Sequence, residues 1–152
     1  MKYRLATFDD INLLVSERLR FIEINETDDN YGLIKNNCDT YFKKAFSENT
    51  CDVILAEENG RCIGTGIIFY YDSVPSAFNV TGKNAYITSM YVEPEYRCRG
   101  IGRNILNELI KLADEKEYKI IMLNASDMGK PMYKKAGFVE SCNGMILDKR
   151  EF

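Results

Sequence analysis

The chain has 152 residues, 45% of them hydrophobic, with 20 Lys and Arg against 23 Asp and Glu, a formal net charge of −3 and an isoelectric point near 5.1. That size without low-complexity runs predicts one compact domain over 1–152, and the acidic balance excludes the broad basic face that nucleic acid requires. Histidine is absent, which removes the commonest general base and metal ligand, and five scattered cysteines (Cys38, Cys51, Cys62, Cys98, Cys142) without CxxC spacing argue for reduced thiols and no metal.

Met1-Lys2-Tyr3-Arg4-Leu5 lacks the apolar stretch of a signal peptide, and no apolar run reaches the roughly 18 residues of a membrane span. A cytoplasmic protein without membrane contact is expected. Residues 3–6 read as a strand, and Thr7-Phe8-Asp9-Asp10 resembles a capping box. Ile11, Leu14, Val15, Leu19 and Ile22 then recur at helical spacing and predict a helix over about 9–23. Polar Asn25 to Asn30 breaks it. A second helix is expected over about 34–47, with Tyr41, Phe42, Ala45 and Phe46 on its buried side. Cys51 to Glu57 and Arg61 to Tyr71 flank Asn59-Gly60, whose tolerance of positive φ marks an antiparallel hairpin. Residues 72–83 read as a loop before a strand over 84–92, which Glu93-Pro94 ends.

Tyr91 to Arg103 joins that strand to a helix through a basic turn carrying glycine. Arg97, Arg99 and Arg103 bracket Gly100 and Gly102 at a helix start, so backbone N–H groups, the helix dipole and guanidinium forks converge where a pyrophosphate could sit. From Gly100, the residues Ile101, Ile105, Leu106, Leu109, Ile110, Leu112 and Ala113 form the apolar face of the clearest helix. Lys119 to Ala125 has the continuous apolar character of a doubly covered strand. Pro131 and Gly137 suit the first turn and the stop of a short helix, and Phe138 to Leu147 predicts one or two closing strands around Asn143-Gly144.

The strand over 84–92, the turn formed by Arg97, Gly100 and Gly102, the following helix, the strand over 119–125 and Tyr133-Lys134-Lys135-Ala136-Gly137-Phe138 together resemble the GNAT superfamily of acyl-CoA-dependent N-acyltransferases. Nearly the whole chain fits that order. The resemblance implies an α+β fold: a twisted, mostly antiparallel sheet, splayed at the strand leading into the turn, with helices on both faces. It implies acetyl-CoA in the splay, with Met90, Tyr91 and Val92 along the pantetheine arm. Amides from Cys98, Arg99, Gly100, Ile101, Gly102 and Arg103 would hold the pyrophosphate, with Arg97 and the other guanidinium groups adding bonds where geometry permits. Asn124 and Ser126 would either contact the pantetheine amides or cap the next helix. A backbone N–H near Met90 to Val92 would polarise the thioester carbonyl.

Tyr133 matches the family's tyrosine that protonates the departing CoA thiolate, in a direct transfer without an acyl-enzyme. Asp127 departs from the pattern, since many relatives carry asparagine there; the variant resembles a branch of small bacterial members. The general base stays open among Glu23, Glu26, Asp72, Glu93 and a water chain ending at one of these or at Tyr86 or Ser89. Tyr31, Tyr70 and Tyr71 are candidates to line an acceptor pocket for an amine. Cys98, in its arginine-rich turn, has the setting for a lowered pKa and a mixed disulfide with CoA. The expected function is transfer of an acetyl group to a small primary amine; a protein amine as acceptor and a non-catalytic acyl-CoA sensor are the alternatives. A homodimer through the terminal strands or the first two helices is also implied by the resemblance.

Overall fold

Every residue of the strand over 51–56 is buried, and successive side chains enter different cores. Val53 and Leu55 pack with the first two helices, whereas Ile54 and Ala56 pack with the third. A strand covered on both faces has no solvent side, which explains its unbroken apolar run. The structure, a computed structural model, describes residues 1–141 and 144–150. Its elements are β1 (Lys2–Leu5), α1 (Ile11–Phe21), α2 (Tyr31–Ser47), β2 (Cys51–Glu58), β3 (Arg61–Asp72), β4 (Lys83–Val92), α3 (Ile101–Glu115), β5 (Ile120–Leu123) and α4 (Lys130–Lys135). Short 3-10 turns occupy Phe8–Asp10 and Pro94–Tyr96.

The sheet runs β1-β2-β3-β4-β5, antiparallel except for the parallel pair β4 and β5. Helices α1 and α2 cover one face; α3 covers the other, where Ile105, Leu106, Leu109 and Ala113 are fully buried. The α+β arrangement with helices on both faces therefore stands.

Boundaries differ from the expectation where local hydrogen bonds intervene. Helix α1 stops at Phe21 because Glu23 takes φ 58° and Ile24 N–H returns to Leu19 O at 3.1 Å. Helix α2 begins three residues earlier than its apolar spacing suggests, since Ile34 N–H already bonds Asn30 O at 2.9 Å. The closing strands predicted within Phe138 to Leu147 do not form among the described residues. Lys134 Nζ meets Glu140 at 2.8 Å beside α4, and Met145, Ile146 and Leu147 stay exposed. Cys142 and Asn143 lie outside the described residues, and with them part of the predicted Asn143-Gly144 turn.

Between β3 and β4 the register shifts: Thr65 pairs with Tyr91 and Ile67 with Thr88, so Gly66 alone faces Ser89 and Met90. This is a β-bulge, and Ser89 carries its positive φ of 51°. Gly66 admits α3 close to the sheet. A Cβ there would lie 2.5 Å from Ile105 Cγ2 and 2.7 Å from Met90 Sδ. Gly66→Ala is thus expected to destabilise the fold by about 1–2 kcal/mol through overpacking; an unchanged urea midpoint would refute that close packing.

Candidate functional site

Beyond the bulge, β4 loses its neighbour. The β4–β5 pairing ends at Ile87 and Leu123, whereas β4 continues to Val92, so residues 88–92 have no ladder partner on that side. Unpaired strand N–H and C=O groups then face a cleft between the two strands. Met90 and Val92 turn toward the α3 core, and Tyr91 turns toward α1.

The cleft leads to the basic turn. Cys98 and Gly100 hold φ 60° and 79°, and Gly100 caps α3. The first helical bond runs from Asn104 N–H to Gly100 O at 3.0 Å, which leaves the N–H groups of Gly100 through Arg103 without helical partners at the positive end of a fifteen-residue helix. Ile101 is buried as an anchor beneath the turn. At Gly102 a Cβ would stand 3.4 Å from Met132 Sδ, so the start of α3 packs closely on α4.

The arginines divide their work. Arg97 Nε donates to Val92 O at 2.9 Å, and its guanidinium lies 5.8 Å from the Tyr91 ring centre. Arg99 donates to Glu95 O at 2.9 Å and stacks over Tyr96. Arg103 comes nearest Gly100, its Nη2 3.6 Å from where a Cβ would sit. Cys98 is exposed.

Tyr133 is 8% exposed, packed in the α3 core with its ring edge-on to Phe138 at 6.0 Å and pressed against Gly129. Burial raises the pKa of its phenol. Ser126 accepts the Gly129 N–H at its hydroxyl, 3.2 Å, and so forms the turn into α4, while Asn124 is exposed just past β5. Asp127 is fully exposed near Lys130.

The other expected groups scatter. Asp72 pairs with Lys83 at the start of β4, the end opposite the turn, and Glu23 and Glu26 are exposed in the α1–α2 connection. Glu93 is buried beside the turn but accepts hydrogen bonds from Arg20, from Arg61 at 3.3 Å and from Tyr91 Oη at 3.4 Å. Burial alone would raise its pKa; Arg20 and Arg61 outweigh burial and hold it below the ordinary carboxylate range. Such a carboxylate is a weak base. Tyr70 is buried and donates to Asp52 at 2.7 Å, so it belongs to the core rather than to an acceptor pocket, and Tyr71 is exposed beside Phe69. Tyr31 does line an open groove of about 640 Å³ between α1 and α2, with Ser16, Arg20, Glu26, Lys35 and Asp39.

One group at the bulge carries no mark in the sequence. Glu17 of α1 reaches a narrow crevice with Arg18, Thr65 and Ser89, and Arg18 Nη1 donates to Ser89 Oγ at 2.8 Å. Only the docking of α1 on β4 reveals it. Among the described residues no cluster of Cys, Asp and Glu is arranged to hold a metal, and no helix is long and apolar enough to cross a membrane.

A mixed sheet broken by a bulge, an unpaired strand end and a helix start that offers free N–H groups is the architecture of acyltransferases that draw their acyl group from coenzyme A. The chain belongs to the acetyltransferase (GNAT) family, whose model matches residues 17–138. A structure of a predicted acetyltransferase from Clostridium acetobutylicum, solved with acetyl-CoA, is 37% identical and superposes with a TM-score of 0.87 over 97% of this chain and 95% of its own. A thialysine N-epsilon-acetyltransferase of Sus scrofa is 31% identical over 53% of this chain, and a glucosamine 6-phosphate N-acetyltransferase of Trypanosoma brucei brucei is 25% identical over 63% of it. The chain spans about half the length of the pig relative, 47%, and 63% of the trypanosome one.

Proposed function

We propose that the protein transfers the acetyl group of acetyl-CoA directly to a primary amine of a small molecule. The observation that carries this reading is the juxtaposition of the unpaired β4 segment 88–92, the free N–H groups of Gly100 to Arg103 and the buried Tyr133 behind the same turn. The N–H groups and Arg103 would bind the pyrophosphate, and the β4 edge would bind the pantetheine amides as a strand partner does. Arg97 and Arg99, bonded to backbone carbonyls, would shape the turn. An N–H of the bulged segment would polarise the thioester carbonyl, and Tyr133 would hand its proton to the sulfur. A raised pKa suits that role, because the phenol stays protonated at neutral pH.

Glu17, Arg18, Thr65 and Ser89 at the crevice of the bulge favour a small polar acceptor over a long apolar one. The relatives that act on thialysine and glucosamine 6-phosphate support the same class.

Calorimetric titration with acetyl-CoA tests the reading, with ATP and pantetheine as controls. Saturable binding of acetyl-CoA, with little heat from either control, is expected. A folded protein that binds none would remove the function. Acetylated product is best followed by mass, since the protein's five cysteines interfere with thiol reagents.

A further inference from the structure

Most amines are protonated at neutral pH, so acetyl transfer needs a proton acceptor beside the reacting carbonyl. Glu93 is held by Arg20 and Arg61, Asp72 lies at the wrong end of β4, and Glu23 and Glu26 are exposed in the connection. Glu17 is placed differently. Its side chain keeps only 14% of its exposure, and it lines the crevice at the bulge. The crevice measures about 10 Å³, room for one group of water or ammonium size. Its wall is the distorted residue of β4 itself, because Arg18 bonds Ser89 Oγ and Thr65 Oγ1 approaches Ser89 O at 3.5 Å.

We propose that Glu17 is the general base of the transfer, taking the proton of an acceptor amine presented at the Ser89 bulge. The assignment rests on the acetyl-transfer reading above. An N–H proton passes to a Glu17 carboxylate oxygen, and the nitrogen lone pair forms the N–C bond at the thioester carbonyl. The C–S bond breaks, and the sulfur takes the Tyr133 phenolic proton; the nitrogen, which began as an ammonium, gives up its second proton to solvent, from which Tyr133 is reprotonated, and Glu17 releases its proton to solvent as well.

The groups around Glu17 fit a base poised above an ordinary carboxylate. Arg20 bonds it from its own helix, Arg61 and the Cys62 thiol face it from β3, and Glu93 faces it from the end of β4. Burial raises its pKa, Arg20 opposes that, Glu93 adds to the rise and Arg61 opposes it, with a net upward shift. A stronger base follows.

Glu17→Gln tests this in the full chain, with thialysine, glucosamine 6-phosphate and benzylamine as probe amines and product read by mass from pH 4 to 10. The variant is expected to bind acetyl-CoA within twofold of wild type and to lose roughly 10²–10³-fold in kcat/KM at pH 7. The limb set by Glu17 should give way in the variant to one set by the amine's own ionisation, so that the deficit narrows as pH approaches the amine's pKa. A wild-type rate with the same limb would overturn the assignment. A carboxyl ¹³C titration adds a readout independent of any acceptor: Glu17 titrating above the ordinary value of about 4.3 agrees with the base, and Glu17 titrating below it overturns the base. Failure of the wild type to bind acetyl-CoA or to acetylate any probe falls on the proposed function instead and removes the Glu17 assignment with it, whereas a working wild type with an unimpaired Glu17→Gln falls on Glu17 alone.

Discussion

Tyr133→Phe is expected to lower kcat for acetyl transfer by roughly 10²–10³-fold, with acetyl-CoA affinity and melting temperature nearly unchanged. The separation follows from where the ring sits. Its faces are buried against Phe138, Gly129 and the α3 core, and phenylalanine keeps all of that packing. No buried side-chain oxygen among the described residues lacks a partner, so the Tyr133 hydroxyl, which bonds none of them, still reaches solvent; its removal strands no partner and should change stability by less than about 0.5 kcal/mol. What disappears is the proton for the departing thiolate. Because burial raises the phenol's pKa, loss of its proton falls above about pH 10 in the wild type, and the variant's deficit should be level from pH 7 to pH 9. Rapid mixing of the acetyl-CoA complex with a working amine would measure the step. An equal rate in both proteins would leave Tyr133 a packed aromatic and shift proton supply to solvent.

How far the sequence discloses this site depends on the range of the forces involved. The basic turn is legible because its chemistry is local: Gly100 must adopt φ 79° where it caps α3, and the free N–H groups belong to consecutive residues. Tyr133 is legible only through its resemblance to a family motif, since nothing in its neighbours' composition announces a buried phenol. The Asn59-Gly60 turn discloses only the β2–β3 pairing, and the apolar run over 119–125 misleads: it reads as a doubly covered strand, yet β5 lies at the sheet's edge with Met122 37% exposed, and β2 is the strand covered on both faces. The bulge is not legible, because it depends on how β3 and β4, distant in sequence, fall into register, with Gly66 opposite Ser89 and Met90. Glu93 reads as a free carboxylate after a strand; two arginines from α1 and β3, distant in sequence, neutralise it. Arg97 reads as a phosphate ligand, and the structure adds what the sequence does not show, that its Nε also donates to Val92 O. Tertiary partners decide which of several local charges is free to act.

Glu93→Ala is the substitution expected to cost the fold most among those near the site. The carboxylate is 7% exposed and gathers Arg20, Arg61 and Tyr91, while its backbone N–H donates to Ile63 O at 2.9 Å. Removing one member of a buried charge cluster leaves the others uncompensated, at up to about 3–5 kcal/mol. Arg20 and Arg61 keep 39% and 62% side-chain exposure and can rehydrate, so a loss of about 2–3 kcal/mol is expected here. The pH dependence has a definite sign. Since the folded pKa of Glu93 lies below its ordinary value, its stabilisation is present above about pH 4.3 and is lost as pH falls through the folded pKa. Urea unfolding from pH 7 downward should therefore show a full gap between wild type and variant at pH 7 that closes only below about pH 4. A gap constant down to pH 3 would mean that packing, not charge, holds this junction. The same substitution removes a negative charge that raises the Glu17 pKa and frees Arg20 for Glu17 alone. The acidic limb of kcat/KM should then move to lower pH in Glu93→Ala, so a buried ion pair away from the reacting atoms would set the pH at which the base works.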